Sequence, residues 1–112
     1  VAVSPDGKFV AVGDHKGQLR VFDMSTLSLM LVLDSHDGEV LAVDYSPLIT
    51  PGGGYLLASG GCDGTVHVYD ARKDYDIVRT MTDHDEGVTV VRFAAGGKVL
   101  VSCSTNNRVM FR

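Results

Sequence analysis

Short apolar runs separated by polar turns recur along this chain, and the clearest stretch is Tyr55 to Asp70 (YLLASGGCDGTVHVYD), where two such runs flank Asp63-Gly64. Within it Val66 and Val68 point one way while His67 and Tyr69 point the other, which is the alternation a β-strand imposes. Tyr55–Ser59 and Val66–Tyr69 are therefore predicted strands, joined through Asp63-Gly64. Asp-Gly between apolar runs signals a hairpin, because a tight turn matched to strand twist needs positive φ at its central residues. The first run is apolar on both faces, which predicts a sheet covered on both sides. The same pattern stands at Phe9–Asp23, 47 residues earlier (Gly64 minus Gly17), and at Val99–Arg112, 43 residues later (Asn107 minus Gly64). Three copies of one hairpin mark a repeat protein.

Taken in order, Val1–Val3 reads as the end of a strand and Ser4-Pro5-Asp6-Gly7 as a turn, with Pro fixing φ and Gly permitting the conformation that follows. Phe9–Val12, Leu19–Phe22 and Ser28–Leu33 continue as a meander, so each repeat has four strands, labelled a to d. Asp34–Glu39 connects strand d to the next strand a, Val40–Tyr45. Ser46-Pro47 repeats Ser4-Pro5, but Leu48–Gly54 makes this connection longer, and its Gly-Gly-Gly after Pro51 predicts an exposed loop. Ala71–Asp76 is a charged linker, Ile77–Thr82 the outer strand, and Asp83–Gly87 a second d–a connection with His84 in the place of His36. Val88–Phe93, a Gly96-Gly97 turn, Val99–Ser102 and Arg108–Arg112 complete the pattern. No helical period interrupts it, and a repeat of 40–50 residues belongs to propeller arrays.

Charge and composition narrow the chemistry. The formal net charge is −4, and the basic residues are scattered singly, which argues against binding a phosphate backbone. No apolar run reaches the roughly 20 residues of a membrane helix. Cys62 and Cys103 fit the reduced thiols of an intracellular protein better than a disulfide framework. In register they occupy different steps of their hairpins, so no bridge between them is expected. The chain begins within a strand and without Met, and it reads as a segment of something longer.

These marks resemble the WD40 family of β-propellers, over the whole chain. The family carries a Gly-His or its equivalent in the d–a connection, an Asp in the b–c turn and Trp-Asp closing strand c. The second copy here has His36, Asp63-Gly64 and Tyr69-Asp70, and the first closes with Phe22-Asp23. The third has His84, Asn106-Asn107 and Phe111-Arg112, with Arg in the register position of the closing aromatic, and no Trp occurs anywhere. SHDGEVLAVDYSP, the Asp70–Tyr75 linker and the ending VSCSTNNRVMFR also resemble the MAP-kinase-binding WD-repeat scaffolds, with wording shared by ciliary and centriolar WD-repeat proteins.

The resemblance implies an all-β segment of about three four-stranded blades, partial and not closed: residues 1–33 with an incomplete first strand, 34–82 complete, and 83–112 lacking the outer strand. It also implies a buried hydrogen-bond chain of His36, Ser59, Asp63 and Tyr69, which would pin the d–a connection to strand b and the hairpin. The third copy offers His84, Ser102 and Asn106 without the aromatic, and the first, with Val12 and Lys16, lacks the residues to build it. The types His36, Ser59 and Asp63 match a hydrolase triad, but the nucleophile would lie mid-strand between packed sheets with no elbow or oxyanion donor. Cys62, Cys103, His36 and His84 lack the paired spacing of a zinc site. Gly60-Gly61 and Gly52-Gly53-Gly54 are followed by neither Lys-Ser/Thr nor a helix, so they read as turn glycines.

The expectation is thus a non-enzymatic platform without cofactor or metal. It would dock other proteins, signalling kinases or tubulin and axonemal proteins among them, in a cytoplasmic or cytoskeletal assembly such as a cilium, centriole or spindle pole. A structural ciliary or centriolar protein on microtubules and the substrate-receptor arm of a ubiquitin ligase are the alternatives. Neither nucleic acid nor membrane is expected as a partner, and the rest of the propeller is expected on the same full-length chain. In the family's arrangement d–a and b–c connections share one face. Asp34, Asp37, Glu39, Asp83, Asp85 and Glu86 would form a negative rim there, which either steers basic partners or serves as a solubilising surface. Leu48 and Ile49 on the long loop of the opposite face are either a secondary contact site or a cap packed on their own blade.

A blade buries its faces only against neighbouring blades, and closed propellers have typically 4–8. Expressed alone, the 112-residue segment should therefore self-associate rather than persist as a stable monomer, as sedimentation velocity would register. A monomer with dispersed NMR signals and a cooperative melt would refute this.

Overall fold

A computed structural model describes residues 1–47, 54–82, 84–106 and 108–111. It is an all-β arrangement of three antiparallel sheets. The first is ordered β1-β2-β3-β4, formed by β1 (Ala2–Val3), β2 (Phe9–Gly13), β3 (Gln18–Asp23) and β4 (Leu29–Asp34). The second is ordered β5-β6-β7-β8, formed by β5 (Val40–Tyr45), β6 (Leu56–Gly61), β7 (Val66–Asp70) and β8 (Asp76–Met81). The third contains β9 (Val88–Ala94), β10 (Val99–Ser104) and β11 (Val109–Phe111), with β10 in the middle. The inner strands pack side by side, β5 against both β1 and β9, so the sheets follow one another as blades rather than closing on themselves.

Each meander follows from chain reach: short connections can join only antiparallel neighbours. The registers repeat, with Ser59 opposite His67 and Ser102 opposite Met110, and Val12 opposite Arg20 in the first sheet. The predicted strand ends shift by one or two residues. Strand β6 runs on through Gly60 and Gly61, expected to lie in the turn, because the next sheet approaches there. A Cβ on Gly60 would sit 2.6 Å from Val88 Cγ1, and one on Gly13, its counterpart in β2, would sit 2.5 Å from Val40 Cγ1. The turn between β6 and β7 is correspondingly longer than a two-residue one. Gly61 N–H donates to Thr65 O and Gly64 N–H to Gly61 O, and only Gly64 takes positive φ, at 80°.

Two apolar layers hold the sheets together. Ala11, Leu19 and Val21 of the first sheet meet Val40, Leu57 and Tyr69 of the second. On the other face of the second sheet Ala58, Val66, Val68 and Met81 meet Val88, Val91 and Leu100 of the third. This is why Leu57 and Ala58, adjacent in sequence and on opposite faces, are both fully buried. The outer face of the third sheet carries Val90, Val109 and Phe111, with Phe111 71% exposed, and that of the first carries Val3 and Val32. Asp44 of β5 also reaches the third sheet, its Oδ2 accepting from Phe93 N–H at 2.9 Å. The predicted loop residues Leu48 and Ile49, and Asp83, Asn107 and Arg112, lie outside the described residues.

Gly64, like Gly17 in the first hairpin, should be far harder to replace than a glycine in an open turn. A Cβ on Gly64 would stand 2.5 Å from His84 O, whereas Gly96, with φ 68°, has nothing within 4 Å. Gly96→Ala should cost about 1–2 kcal/mol from left-handed backbone alone, and Gly64→Ala distinctly more. Hydrogen exchange of the two hairpins in the full-length protein would measure the difference, and equal costs would show that the turn does not bear on the d–a connection.

Candidate functional site

The best-developed polar site lies where the connection between β4 and β5 crosses the ends of two hairpins. Ser35 and His36 N–H both donate to Gly17 O of the first hairpin, and Cys62 N–H of the second hairpin donates to Glu39 O. The connection is therefore laced between successive b–c turns. The next one is placed likewise: a Cβ on Gly64 would touch His84 O, and Thr105 N–H donates to Gly87 O. The d–a connections and b–c turns share one end of the molecule because these backbone bonds tie them together.

His36 is enclosed in this lacing, its side chain inaccessible to solvent. Its Nδ1 lies 3.1 Å from Asp63 Oδ1 and its Nε2 2.9 Å from Ser59 Oγ. A carboxylate only accepts, so Nδ1 donates to Asp63 and Nε2 accepts from the Ser59 hydroxyl. Asp63 also takes Asp37 N–H on Oδ2 and Thr65 N–H on Oδ1. Burial pushes the His36 imidazole below its ordinary value, and the Asp63 carboxylate, which pulls it upward, does not reverse the shift. Burial alone would raise Asp63, but the N–H groups of Asp37 and Thr65 together with His36 hold it low. Gly61 makes the ring's place possible, since a Cβ there would fall 2.4 Å from His36 Nδ1.

Tyr69, buried to 2% exposure, directs its hydroxyl to Ser35 Oγ at 2.5 Å. Burial raises its phenol, with the Ser35 and Ser59 hydroxyls opposing. Sequence reasoning missed Ser35, although a hydroxyl beside the histidine in the d–a connection was the available signal. Ser59 is fully buried, so no substrate carbonyl reaches the residue that a hydrolase triad would need as nucleophile. Cys62 and Cys103 are free thiols.

The third copy differs from the expected His84–Ser102–Asn106 set. His84 Nε2 meets Ser102 Oγ at 2.8 Å, but Asn106 Oδ1 accepts from Ser104 Oγ instead. Ser104 holds the register position of Gly61, so a hydroxyl captures the carboxamide where the second copy leaves room for the imidazole. His84 Nδ1 is buried without a hydrogen-bond partner among the described residues, and burial pushes His84 down, with Arg108 adding to the effect. In the first copy Asp14 organises the turn, accepting from Lys16 and Gln18 N–H and pairing with Arg20. The Gln18 N–H and the Arg20 guanidinium hold its carboxyl down at about 2. Neither Asp14 nor Arg20 stood out in the sequence, because each is an ordinary surface residue until strand pairing brings them together.

The acidic candidates are exposed at this same end. Asp34 Oδ1 accepts from Gln18 Nε2, Asp85 pairs with Arg108 at 3.3 Å, and Glu86 Oε2 accepts from Thr105 Oγ1. The side chains of Asp37 and Glu39 have no hydrogen-bond or ion-pair partner among the described residues. Asp83 lies outside the described residues. Beside Asp34, Asp37 and Asp63, a polar cleft of about 500 Å³ continues to His67 and Thr80.

The profile of the family described as "WD domain, G-beta repeat" matches residues 1–23, 27–70 and 75–111. Its middle unit begins in the linker before β4 and ends with β7, so one sequence unit spans two sheets. Mitogen-activated protein kinase-binding protein 1 of Homo sapiens is 41% identical over 114 aligned positions, covering all of this chain and 7% of that protein. WD repeat-containing protein 62 of Mus musculus is 36% identical, covering 98% of this chain and 7% of that protein. A nuclear distribution protein of Gibberella zeae is 33% identical over 87% of the chain and 20% of its own length. The chain thus spans less than a tenth of the first two relatives. Among solved structures, a chain of the mitotic checkpoint complex superposes with a TM-score of 0.85 at 23% identity, over 98% of this chain and 32% of that one.

His36→Ala should lower the local stability of the β6–β7 hairpin by about 1–3 kcal/mol, the cost of leaving buried partners unsatisfied. Hydrogen exchange in the full-length protein would measure it. Both His36 and His84 are shifted below their ordinary value of 6.5. The unfolded chain therefore takes up protons first as pH falls. Stability should be full above about pH 6.5 and decline below it, with a shallower decline in His36→Ala. A pH-independent hairpin between 7 and 5 would contradict the buried, neutral assignment.

Proposed function

Because this chain belongs to the WD40 family of G-beta repeat proteins, we propose that it serves as a non-enzymatic docking platform. Its main contact surface is the end where the d–a connections cross the b–c turns. The observation that carries the reading is the hydrogen-bonded lacing of that end. Backbone bonds and the His36–Asp63 network hold the connections, while the Asp37 and Glu39 side chains have no hydrogen-bond or ion-pair partner among the described residues. Preorganised carboxylates favour a basic partner surface and speed its encounter. The name of the human relative, a mitogen-activated protein kinase-binding protein, supports signalling kinases as the leading partner class. A cytoplasmic or cytoskeletal assembly is part of the same proposal.

Charge reversal at Asp37 and Glu39, with Glu86 as a third site, tests the surface in the full-length protein. Asp85 is left intact because it pairs with Arg108. Association with a mitogen-activated protein kinase, followed by stopped flow at low salt, should slow by roughly tenfold and lose much of its salt dependence. Unchanged kinetics in a variant with unaltered unfolding would remove the acidic end as the docking surface.

A further inference from the structure

The opposite end of the first two sheets carries a second, chemically different feature. Phe9, Val21 and Leu31 wall a cavity of about 360 Å³, closed by Tyr75 and rimmed by Met30 and Asp74. It lies between two packed sheets. Its volume falls at the low end of ligand pockets, a space for a side chain or two rather than for a large cofactor. Among the described residues Asp74 is the one charged member of its lining, and its carboxylate has no hydrogen-bond or ion-pair partner there.

Two further observations point to an occupant. Asp74 and Tyr75 both adopt left-handed backbone, φ 55° and 61°, which is uncommon for Asp and unusual for a bulky aromatic. Two anchors hold this conformation: Tyr75 N–H donates to Asp70 O, and the Tyr75 hydroxyl meets that of Tyr45 at 2.8 Å. The strained pair turns Tyr75 inward and leaves Asp74 exposed at the rim, an arrangement of the kind that strain accompanies at binding sites. Beside it runs β4, an edge strand. Its first five residues, Leu-Met-Leu-Val-Leu, include no charge and no proline, and Leu29, Met30 and Val32 are 50%, 55% and 43% exposed. Natural edges are usually blunted by charge, proline or bulges; in this stretch β4 has only the last, an irregularity at Met30, with Phe22 paired to Leu29 and Val21 to Leu31. The corresponding edge β8 carries Asp76 and Arg79.

We propose that β4 accepts an extended segment of a partner protein by strand addition. One apolar side chain of that segment would fill the cavity, and a Lys or Arg two residues away would meet Asp74. A residue of the added strand opposite Leu31 faces the same side as Leu31, toward the second sheet, and its neighbours two positions away share that face. The backbone edge supplies affinity, the cavity selects an aliphatic or aromatic residue, and the carboxylate selects the basic one.

Two fluorescein-labelled peptides test this on the full-length protein by anisotropy: Ser-Thr-Leu-Thr-Arg-Thr-Ser and its counterpart with Arg two residues before Leu. At least one should bind, and replacing its Leu by Ser should abolish binding. Asp74→Asn keeps a residue suited to left-handed backbone and should weaken binding roughly fivefold, the scale of one exposed charge contact. Met30→Arg should block the site by offering Asp74 an internal cation. Reversal of Asp37 and Glu39 should leave the peptide affinity unchanged, separating this site from the acidic end. Failure of both peptides to bind, or binding indifferent to both Asp74→Asn and the loss of Leu, would overturn the proposal.

Discussion

Successive sheets in this protein are keyed together by the absence of side chains at a few repeated points. Gly13 and Gly60 let the first residue of the next inner strand, Val40 or Val88, press onto the backbone of strand b. Gly17 and Gly64 let the next d–a connection lie against the b–c turn, within 2.0 Å and 2.5 Å of where a Cβ would stand. One close approach sets how tightly the apolar layers pack, and the other sets where the connecting loops run. The His36 network, the buried Tyr69 and the acidic end all presuppose that spacing.

The polar chain at His36 follows from it. Once the d–a connection is laid across the turn, its histidine leaves water, and both ring nitrogens require partners. Asp63 and Ser59 supply them, and Gly61 supplies the space. With Ser104 in place of Gly61, Asn106 is drawn into a local bond and the His84 ring keeps one hydrogen bond among the described residues. The hydroxymethyl group of Ser104, together with Asn106 in the place of Asp63, thus divides the two copies.

The two ends have different characters because the two kinds of connection bury different things. At one end, backbone bonds between connections and turns absorb the polar groups, and the acidic side chains are left outward. At the other, the tyrosine cluster of Tyr45, Tyr55 and Tyr75 stands beside the connections, with Tyr45 and Tyr55 rings edge to face at 5.6 Å. A cavity remains between the sheets beside it.

The strands, their order as meanders and the threefold recurrence were legible in the sequence alone, because a period of two and turn residues at fixed offsets are local properties that a chain carries wherever it folds. The partnership of His36 with Ser59 and Asp63 was legible only through a family resemblance, and its geometry only in three dimensions. The tertiary structure alone decided that Gly60 and Gly61 belong to a strand and an interface rather than a turn, since the atoms that need their space come from residues 88 and 36. It alone joined Asp14 to Arg20, Ser35 to Tyr69 and Tyr45 to Tyr75, contacts between segments whose separation in sequence says nothing about their approach. The cavity beside β4 belongs to the same class, for it is a gap between two sheets, and a gap is defined by the packing of both.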